Sequence, residues 1–600
     1  MDWLKSKWAI LTLAVFVGLV SIFPYYLAEF SLGSDYQGMP LLIQDSEGEY
    51  LGRIHELIEG HYSVSSAVFY EYKDWPSLVP PTGEWIYAIP NFLFGISIIN
   101  VDMIYKFLFP TLLFILAYVF LKDLTKSKFW SIVGALVVTI GFDLPSFDFL
   151  RKLLLGNFSG YISPWTRPVN PITGMLFLAG YMTLIYRIFT KENIQQNRNY
   201  YLYYIFTGII LSLMVGYVFS FIYAGILTVL LLVYSLFKDK SVSWRLTWVL
   251  IIGALGVLLL LGPSILSLLS GDAIGGMNDP RLQGLFYTRL PLLNKTSLLF
   301  TFIFLVFTWF VSFYKNEKLW LQNWWVFSFV LLLVNQIVFN IQIVVGWTIW
   351  PQHFAQYTNV SLSLVLAIFL ARAVSPSFPK LARLAGWILV VLLVLLLVKT
   401  LPNNKDTLPI LKDFQKEKPV MDFLNVHNPD GCVVFVVQDN TIALELNRFI
   451  PAYTNCDVYN SYHIYQGVPR DRVFHNVLSW LWMKGVTEKE LPEFLEKENV
   501  WIRAYLFRDW RDMFCCGGDP WIAKLGPVSE WENWYKGEKT RVAAAYSDFL
   551  KQNINKELSK YRLDYVIIDK ASRVRPDLET YKWLEQVYSD DRYIIYSFQK

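Results

Sequence analysis

Apolar residues are concentrated in eleven stretches of the first 400 residues, separated by polar connections. The hydrocarbon core of a bilayer is crossed by about 20 residues of α-helix, and each stretch is close to that length. The pattern predicts a polytopic α-helical membrane protein with about eleven transmembrane helices. The stretches are residues 8–28, 103–121, 129–146, 172–190, 199–216, 218–237, 243–262, 297–314, 320–340, 357–372 and 384–401.

The basic residues indicate which ends of these helices face the cytoplasm, because Lys and Arg gather in cytoplasmic connections. With a cytoplasmic N-terminus, the inner connections hold 16 of the 26 basic residues of the membrane part, including Lys126 and Lys240. The outer loop of residues 29–101 instead has ten carboxylates and only Arg53 and Lys73 as bases. We expect a plasma or inner membrane protein whose C-terminal domain, after an odd number of spans, lies outside the cytoplasm.

The last 200 residues have a different composition and hold 56 of the 102 charged side chains. A polar linker, LPNNKDTLP, follows the last span, and strand-like runs begin at Cys432, Tyr565 and Arg592 among helical stretches. This alternation is typical of an α/β domain. We therefore predict a transmembrane domain over residues 1–401 and a soluble extracytoplasmic α/β domain over residues 402–600.

The cysteines are confined to this C-terminal domain. Disulfides form outside the cytoplasm, so the cysteines agree with the predicted orientation and are candidates for disulfide bonds. Two of them are adjacent and are not expected to pair with each other, because of the geometry of the bond. Four free buried thiols are the alternative. The residues are Cys432, Cys456, Cys515 and Cys516.

The long first outer loop, residues 29–101, is expected to form the working face of the protein. The run EGEYLGRIHELIEGHY from Glu47 repeats apolar residues at helical spacing, and EWIYAIPNFLFGIS from Glu84 is a second apolar run. Both predict helices that lie on the membrane surface. Carboxylates held there can take a proton from a hydroxyl or bind a divalent cation, and a solvated acidic loop is the alternative. The candidate residues are Asp45 and Glu47, with Asp35 and Arg53 beside them.

A second outer loop, residues 142–171, combines acids and bases at the outer ends of the third and fourth spans. Asp143 and Asp148 follow the third span, and Arg151 and Arg167 come after them. Such a combination suits a site that handles a phosphate together with a hydroxyl acceptor. Helix capping and interfacial anchoring are the alternative roles.

The order of these features resembles the GT-C superfamily of integral-membrane glycosyltransferases. That order is one span, an acidic outer loop with two surface helices, two spans, a second outer loop opening with Asp, further spans and a C-terminal extracytoplasmic domain. The superfamily includes protein O-mannosyltransferases, the aminoarabinose transferase of lipid A and the oligosaccharyltransferases. The local resemblance is in QDSEGEYLGRIHELIEGHY, from Gln44, and in WTRPVNP, from Trp165. The C-terminal sequence lacks the Trp-Trp-Asp signature of the oligosaccharyltransferases.

This resemblance implies an inverting transfer of a sugar from a polyprenyl phosphate or diphosphate carrier to an extracytoplasmic protein, glycan or lipid acceptor. The first-loop catalytic carboxylate of the family falls on Asp45, with Glu47 as the other candidate, because Asp-Ser-Glu stands where the family has Asp-Glu. The second-loop acid falls on Asp143 or Asp148. Asp45, Asp143 and Asp148 are also candidate ligands for Mg²⁺ or Mn²⁺. Cations that would meet the departing lipid phosphate are sought among Arg151, Arg167, Arg281, Arg289 and His353.

The expected partners are membrane lipids and the lipid-linked donor, and not nucleic acid. The membrane part has a net charge of +6 and the C-terminal domain one of −2, and neither value is strongly basic. A transporter or flippase of lipid-linked sugars, or a non-catalytic membrane scaffold, is the alternative function. Transporters place ionisable groups inside spans and often contain internal repeats. Here the span interiors are almost free of charge, apart from Lys106, which favours chemistry at the membrane surface.

Overall fold

The chain divides into two compact units. Unit 1 consists of Met1–Ser31, Ile99–Gly262 and Arg289–Asp406, and unit 2 consists of Leu32–Ile98, Pro263–Thr288 and Thr407–Lys600. The first outer loop thus belongs to unit 2, whereas the predicted domain bounds group it with the spans. The computed structural model describes residues 2–42, 46–66, 68–77, 79–155, 163–190, 200–269, 285, 287–400, 407–439, 446–461, 468–497, 506 and 528–599.

Each of the eleven predicted apolar stretches lies wholly or mostly on helix in the described residues, which confirms a polytopic α-helical membrane protein. The helices outside the first outer loop and the C-terminal part are α1 Asp2–Leu32, α4 Ile98–Thr125, α5 Lys128–Thr139, α6 Phe147–Leu155, α7 Ile172–Thr190, α8 Tyr200–Leu213, α9 Val218–Lys238, α10 Lys240–Leu269, α11 Lys295–Lys315, α12 Asn323–Val338, α13 Ile341–Val345, α14 Pro351–Phe369, which continues as a π-turn Leu370–Val374, and α15 Pro379–Thr400.

Within the described residues, eight helical segments are long and apolar enough to cross a membrane. One of them, Tyr201–Lys238, contains two predicted spans that meet at a 3-10 turn, Met214–Tyr217. Two further helices, Lys128–Thr139 and Asn323–Val338, are apolar but shorter than a span. The number of eleven crossings therefore stays a prediction.

The membrane helices differ in how much protein covers them. In the segment Pro351–Val374, 83% of the apolar window is buried, because α14 packs against α5, α9, α11 and α12. The corresponding shares are 17% in α10 and 22% in α15, so most of their Leu, Ile and Val side chains face outward. Apolar surfaces of that extent are unfavourable in water, and lipid is the environment that they require.

The C-terminal part of unit 2 is built on a five-stranded sheet of order β2-β1-β3-β5-β4, which confirms the predicted α/β character. β1 pairs in parallel with β2 and β3, and β5 pairs antiparallel with β3 and β4. Every residue of β1 is buried, as in a strand covered on both faces. The strands are β1 Val433–Val437, β2 Asp457–Val458, β3 Tyr565–Asp569, β4 Leu584–Ser589 and β5 Tyr593–Phe598.

Nine described α-helices of unit 2 lie in its segments Leu32–Ile98 and Thr407–Lys600. Two come from the first outer loop, α2 Glu47–Ile58 and α3 Thr82–Phe94. The others are α16 Leu408–Gln415, α17 Lys418–His427, α18 Leu446–Tyr453, α19 Arg470–Met483, α20 Leu491–Lys497, α21 Val528–Leu550 and α22 Ile554–Leu558. These are the helices of the unit among the residues that the structure describes, apart from the last turns of α10.

A disulfide joins the starts of two parallel strands. Cys432 directly precedes β1, Cys456 directly precedes β2, and their sulfur atoms are 2.08 Å apart. Cys515 and Cys516 lie outside the described residues.

The predicted orientation has a direct test by cysteine labelling in intact cells. Single cysteines placed beside Lys126 and Lys240 should be protected from a membrane-impermeant reagent, because both positions lie in predicted cytoplasmic connections. Cysteines placed beside Asp45 and Glu530 should be labelled. Labelling of the Lys126 and Asp45 positions from the same side of the membrane would contradict the scheme.

Candidate active site

Glu47, one of the two candidate bases, lies at the start of α2 in the first outer loop. Asp45 itself is outside the described residues. Ser46 follows it along the chain in the left-handed conformation, with a φ of 63°, and Glu47 is the first residue of α2 and is buried. The N-terminus of a helix carries partial positive charge, which favours the ionised form of a nearby carboxylate. The first turn of α2 is therefore a favourable place for an ionised carboxylate.

α2 packs closely against α18 of the C-terminal part, and two glycines face that contact. A Cβ added to Gly48 would lie 2.9 Å from two ring atoms of Phe449 and 3.2 Å from the carbonyl oxygen of Arg448. A Cβ added to Gly52 would meet Pro451 at 3.6 Å, an ordinary contact distance. Gly48 is therefore required for the approach of the two helices, whereas Gly52 has room for a methyl group.

The charged residues of α2 point to its neighbours within unit 2. Glu49 Oε1 lies 3.1 Å from a guanidinium nitrogen of Arg448 on α18. Arg53 Nε donates to Glu84 Oε1 of α3 at 2.6 Å, and both side chains are buried. Most of α2 is buried by protein, so it is enclosed between α3 and α18, in contrast to the predicted helix on the membrane surface. α3 has exposed apolar residues that include Phe92, and its place on the membrane surface stays a prediction.

A buried lysine binds carboxylates from both the first loop and the C-terminal part. Lys73 Nζ lies 3.0 Å from Glu56 Oε1 on α2, 3.4 Å from Glu59 Oε2 and 3.0 Å from Asp457 Oδ1 on β2. The side chain of Lys73 is 5% exposed. The single positive charge of Lys73 thus faces three carboxyl groups and can neutralise only part of their negative charge.

In the lysine cluster, defined as Glu56, Glu59, Lys73 and Asp457, burial and neighbouring charges alter the pKa of Glu56, of Lys73 and of Asp457. Burial raises the pKa of the Glu56 carboxyl well above its ordinary value and that of Asp457 to about 7, although Lys73 acts in the opposite direction. Burial acts to lower the pKa of Lys73, but the surrounding carboxylates outweigh it and raise that pKa. The lysine therefore stays charged, and the Asp457 carboxyl, with a pKa of about 7, is partly protonated near neutral pH.

The same region contains a group of three side chains with the spacing of metal ligands. In the described part of the chain, Glu56, Glu59 and His61 form the group of this kind, with ligand atoms within 4.8 Å of one another. The Lys73 ammonium lies beside both glutamates, and His61 Nδ1 is 2.9 Å from Asp74. Because a cation is already present, we interpret the group as an ion-pair network.

The chain upstream of Asp45 is also bound to the C-terminal part. The side-chain oxygen of Gln415, the last residue of α16, accepts from the backbone N–H groups of Gln37 and Met39 at 3.0 and 3.1 Å. Its amide nitrogen donates to the Met39 carbonyl at 3.1 Å. Asp35 Oδ2 is 2.7 Å from Lys412 Nζ, but this ion pair is about half exposed. Buried Gln415 is therefore the firmer attachment.

The two acids of the second outer loop have different surroundings. Asp143 is in the turn between α5 and α6, where Asn359 Nδ2 of α14 donates to its Oδ1 at 2.7 Å. Burial raises the pKa of Asp143 to about 6, and the hydrogen bond from Asn359 opposes that rise. Asp148 is exposed on α6 and lies 3.9 Å from exposed Arg151. The described residues bring neither acid into a set of three metal ligands, so their role with Mg²⁺ or Mn²⁺ stays a prediction.

Arg167 is the best fixed of the predicted phosphate-binding cations. It directly follows the 3-10 turn Pro164–Thr166, and its Nε donates to the Asn170 carbonyl at 2.6 Å. Pro168, the next residue, is buried. The backbone and the base of the guanidinium group are therefore held in position at the start of α7.

The other predicted cations are placed differently. Arg289 is exposed and donates to the backbone carbonyl of Ile343. His353, at the start of α14, has Nδ1 3.0 Å from the Tyr217 hydroxyl and stacks on Phe219, so its ring is held by aromatic neighbours. Arg281 lies outside the described residues.

Sequence reasoning missed the partners of these acids. Arg448, Gln415 and Asp457 were not singled out, because they lie in a domain to which no chemistry was assigned. Asn359 was missed because it lies inside an apolar span. Lys73 was noted as one of two bases in an acidic loop, and this imbalance was the available signal for a buried ion pair.

Comparison with known proteins gives the following. No protein-family model matches the sequence, and the search of curated proteins finds no match. The chain is similar to the Archaeoglobus fulgidus oligosaccharyltransferase in complex with zinc and sulfate, with 11% identity, a TM-score of 0.45 and coverage of 93% of this chain and 68% of that one. It is also similar to the arabinofuranosyltransferase AftD from Mycobacteria, with 11% identity, a TM-score of 0.49 and coverage of 99% and 42%.

A third similar structure is ArnT from Cupriavidus metallidurans bound to undecaprenyl phosphate. It has 12% identity and a TM-score of 0.41, with coverage of 99% of this chain and 98% of that one. The oligosaccharyltransferases are one of the GT-C groups named above for the sequence resemblance.

Proposed function

We propose that the protein is a GT-C-type glycosyltransferase that moves a sugar from a polyprenyl phosphate or diphosphate carrier to an extracytoplasmic acceptor. The observation that carries the proposal is the first outer loop, which is a folded structure with carboxylates at the start of an enclosed helix. A solvated acidic loop, the alternative, would leave Glu47, Arg53 and Glu56 exposed, whereas all three are buried. Buried charged groups require specific partners and are costly to place, so this loop has a function beyond connecting two spans.

The first-loop carboxylate acts as the general base. Asp45 takes the proton from the acceptor hydroxyl as its oxygen attacks the anomeric carbon of the sugar, with Glu47 as the other candidate. The bond from that carbon to the phosphate oxygen breaks at the same time, so the configuration inverts and the carrier leaves as its phosphate. Fixed positive charge at the leaving oxygen lowers the barrier.

For the second-loop acid we propose Asp143 in preference to Asp148. Asp143 is buried, is fixed by Asn359, and has a pKa raised to about 6 by burial. It can therefore accept or donate a hydrogen bond near neutral pH and orient a sugar or acceptor hydroxyl. Asp148 is exposed to solvent, where a carboxylate gains little in orientation.

The proposed activity is tested with the purified full-length protein in lipid nanodiscs. Polyprenyl phosphates that carry different radiolabelled sugars are supplied with membrane extract as the source of acceptor. We expect label to move to an acceptor and free polyprenyl phosphate to appear in equal amount. Movement of an intact lipid-linked sugar across proteoliposomes, without its consumption, would instead support the flippase alternative.

Replacing Arg167 should weaken use of the donor. We expect Arg167→Ala to lower the transfer rate at limiting donor roughly ten- to hundredfold, since charge-assisted hydrogen bonds to a phosphate contribute about 1.5 to 3 kcal/mol. Arg167→Lys should restore only part of it, because an ammonium group lacks the planar fork of a guanidinium. The measurement is the dependence of initial rate on donor concentration.

The matched control for Arg167 is Arg187→Ala, at the other end of α7. Arg187 Nε lies 2.7 Å from Asp123 Oδ2, on the predicted cytoplasmic side. Donor use in that variant should stay within about twofold of the wild type. Unchanged donor dependence in Arg167→Ala would assign Arg167 to interfacial anchoring and move the phosphate site to Arg281, Arg289 or His353.

A further inference from the structure

The chain segment that carries Asp45 is attached to the C-terminal part of unit 2 on both sides. Upstream, buried Gln415 makes three hydrogen bonds with the backbone of Gln37 and Met39. Downstream, Glu49 forms an ion pair with Arg448, although the two residues are 399 positions apart in the sequence. The attachments flank Asp45 within a few residues in either direction.

The downstream attachment is reinforced by packing. At Gly48 the helices α2 and α18 approach so closely that a methyl group would overlap the Phe449 ring at 2.9 Å. Two turns further along α2, His55 Nδ1 lies 3.1 Å from the carbonyl oxygen of Pro451, also on α18. Close packing and polar contacts at Arg448, Phe449 and Pro451 fix both the distance and the rotation of α2 relative to α18.

We propose that Gln415 and Arg448 are positioning residues for sugar transfer, and that the C-terminal part is a component of the catalytic apparatus. This inference rests on the proposed function. The C-terminal part holds the start of α2 in the place where its carboxylate meets the acceptor hydroxyl. General-base catalysis requires the carboxylate within hydrogen-bond reach of that proton, so its supporting residues affect the chemical step.

Loss of one attachment should therefore lower kcat and leave donor binding almost unchanged. A displacement of about 1 Å at a reacting group can cost about a hundredfold in rate. We expect Arg448→Glu and Glu49→Arg each to lower kcat by about ten- to hundredfold, with the KM for donor within about twofold. A purely structural role would reduce the amount of folded protein but would leave the kcat of the folded fraction unchanged.

The decisive variant is the charge exchange, in which Glu49→Arg and Arg448→Glu are combined. It restores an ion pair of opposite polarity, so kcat should recover to within about threefold of the wild type. The matched control is Arg470→Glu, because Arg470 pairs with Glu538 inside the C-terminal part and with none of the described residues of the first loop. That variant should keep a normal kcat.

Hydrogen exchange of the full-length protein provides a readout that is independent of activity. Amides of α2 should exchange faster in Arg448→Glu, while those of β1 and β3 stay protected, and the charge exchange should restore protection of α2. Gln415→Ala provides a second test of the inference. Its kcat should fall about tenfold, while the amides of α2, β1 and β3 stay protected from hydrogen exchange. If the Arg448→Glu protein does not fold, the kcat of Gln415→Ala tests the inference in its place.

The outcomes separate the inference from the proposed function. Wild-type protein that transfers no sugar contradicts the proposed function, while exchange in α2 still tests the attachment. Active wild-type protein with a normal kcat in both Arg448→Glu and Gln415→Ala would overturn the inference. Equal losses in the two single variants and in their combination would also overturn it, because the ion pair would then not be the cause.

Discussion

Asp45→Asn should lower sugar transfer at least about a hundredfold, the usual scale for the loss of a general base. Asparagine keeps the size and shape of the side chain but cannot take the proton of the acceptor hydroxyl. The protein should fold normally, because the interactions that hold α2 come from Glu49, Arg53 and the lysine cluster. The measurement is kcat from the nanodisc assay, with exchange of α2 amides as the test of folding.

Two further variants make the Asp45 experiment specific. Glu47→Gln removes the other candidate base, and Asp74→Asn removes an exposed carboxylate of the same loop, whose contact is with His61. Asp74→Asn should stay within about twofold of the wild type. Near-normal transfer in Asp45→Asn, together with a large loss in Glu47→Gln, would move the base to Glu47.

Features of the fold that depend on short stretches of sequence could be predicted. The apolar stretches became helices, and the runs from Cys432, Tyr565 and Arg592 became β1, β3 and β5, because hydrophobic length and periodicity are local properties. The errors in predicting the fold also concern short stretches of sequence. The third predicted span extended to residue 146, whereas its helix ends at Thr139 and the chain turns at Asp143. β2 has two residues, too few for a periodic signal.

The surroundings of the site could not be predicted, because they depend on contacts between distant parts of the sequence. EGEYLGRIHELIEGHY indicated a helix correctly, but its charged residues suggested a solvent-exposed face. In the structure Arg448 binds Glu49, and Lys73 binds Glu56. The glycine at position 48 allows α18 to approach α2. A sequence pattern identifies which side of a helix is charged, but it does not reveal whether water or another buried ion lies opposite.

The difference between the two acids of the second loop also arises from a contact between distant parts of the sequence. Asp143 and Asp148 were equivalent candidates in the sequence, since both follow the third span. Their surroundings differ because Asn359, on a helix more than two hundred positions away, meets only Asp143. A polar residue inside an apolar span is a weak signal taken alone. Its meaning depends on knowing which loop it contacts.

Lys73→Met should be the most destabilising single change in the first loop. Methionine replaces the alkyl chain of the lysine but leaves Glu56 and Asp457 buried without their cation. Removing one partner of a buried ion pair costs about 3 to 5 kcal/mol. We expect a loss of that size in the free energy of local opening of α2, measured by native-state hydrogen exchange of the full-length protein.

The dependence of this loss on pH identifies its cause. Burial raises the pKa of Glu56, and that of Asp457 to about 7, so the folded state binds more protons than the unfolded state between about pH 4 and 7. Stability from these groups is therefore present at low pH and decreases as the pH rises through that range. In Lys73→Met the carboxyl groups have no counter-charge, so the loss should be smaller at pH 5 than at pH 8.

Lys412→Met, which breaks the half-exposed pair with Asp35, should change stability by less than about 1 kcal/mol at either pH. A loss in Lys73→Met that is independent of pH would show that packing of the lysine chain, and not its charge, holds the first loop.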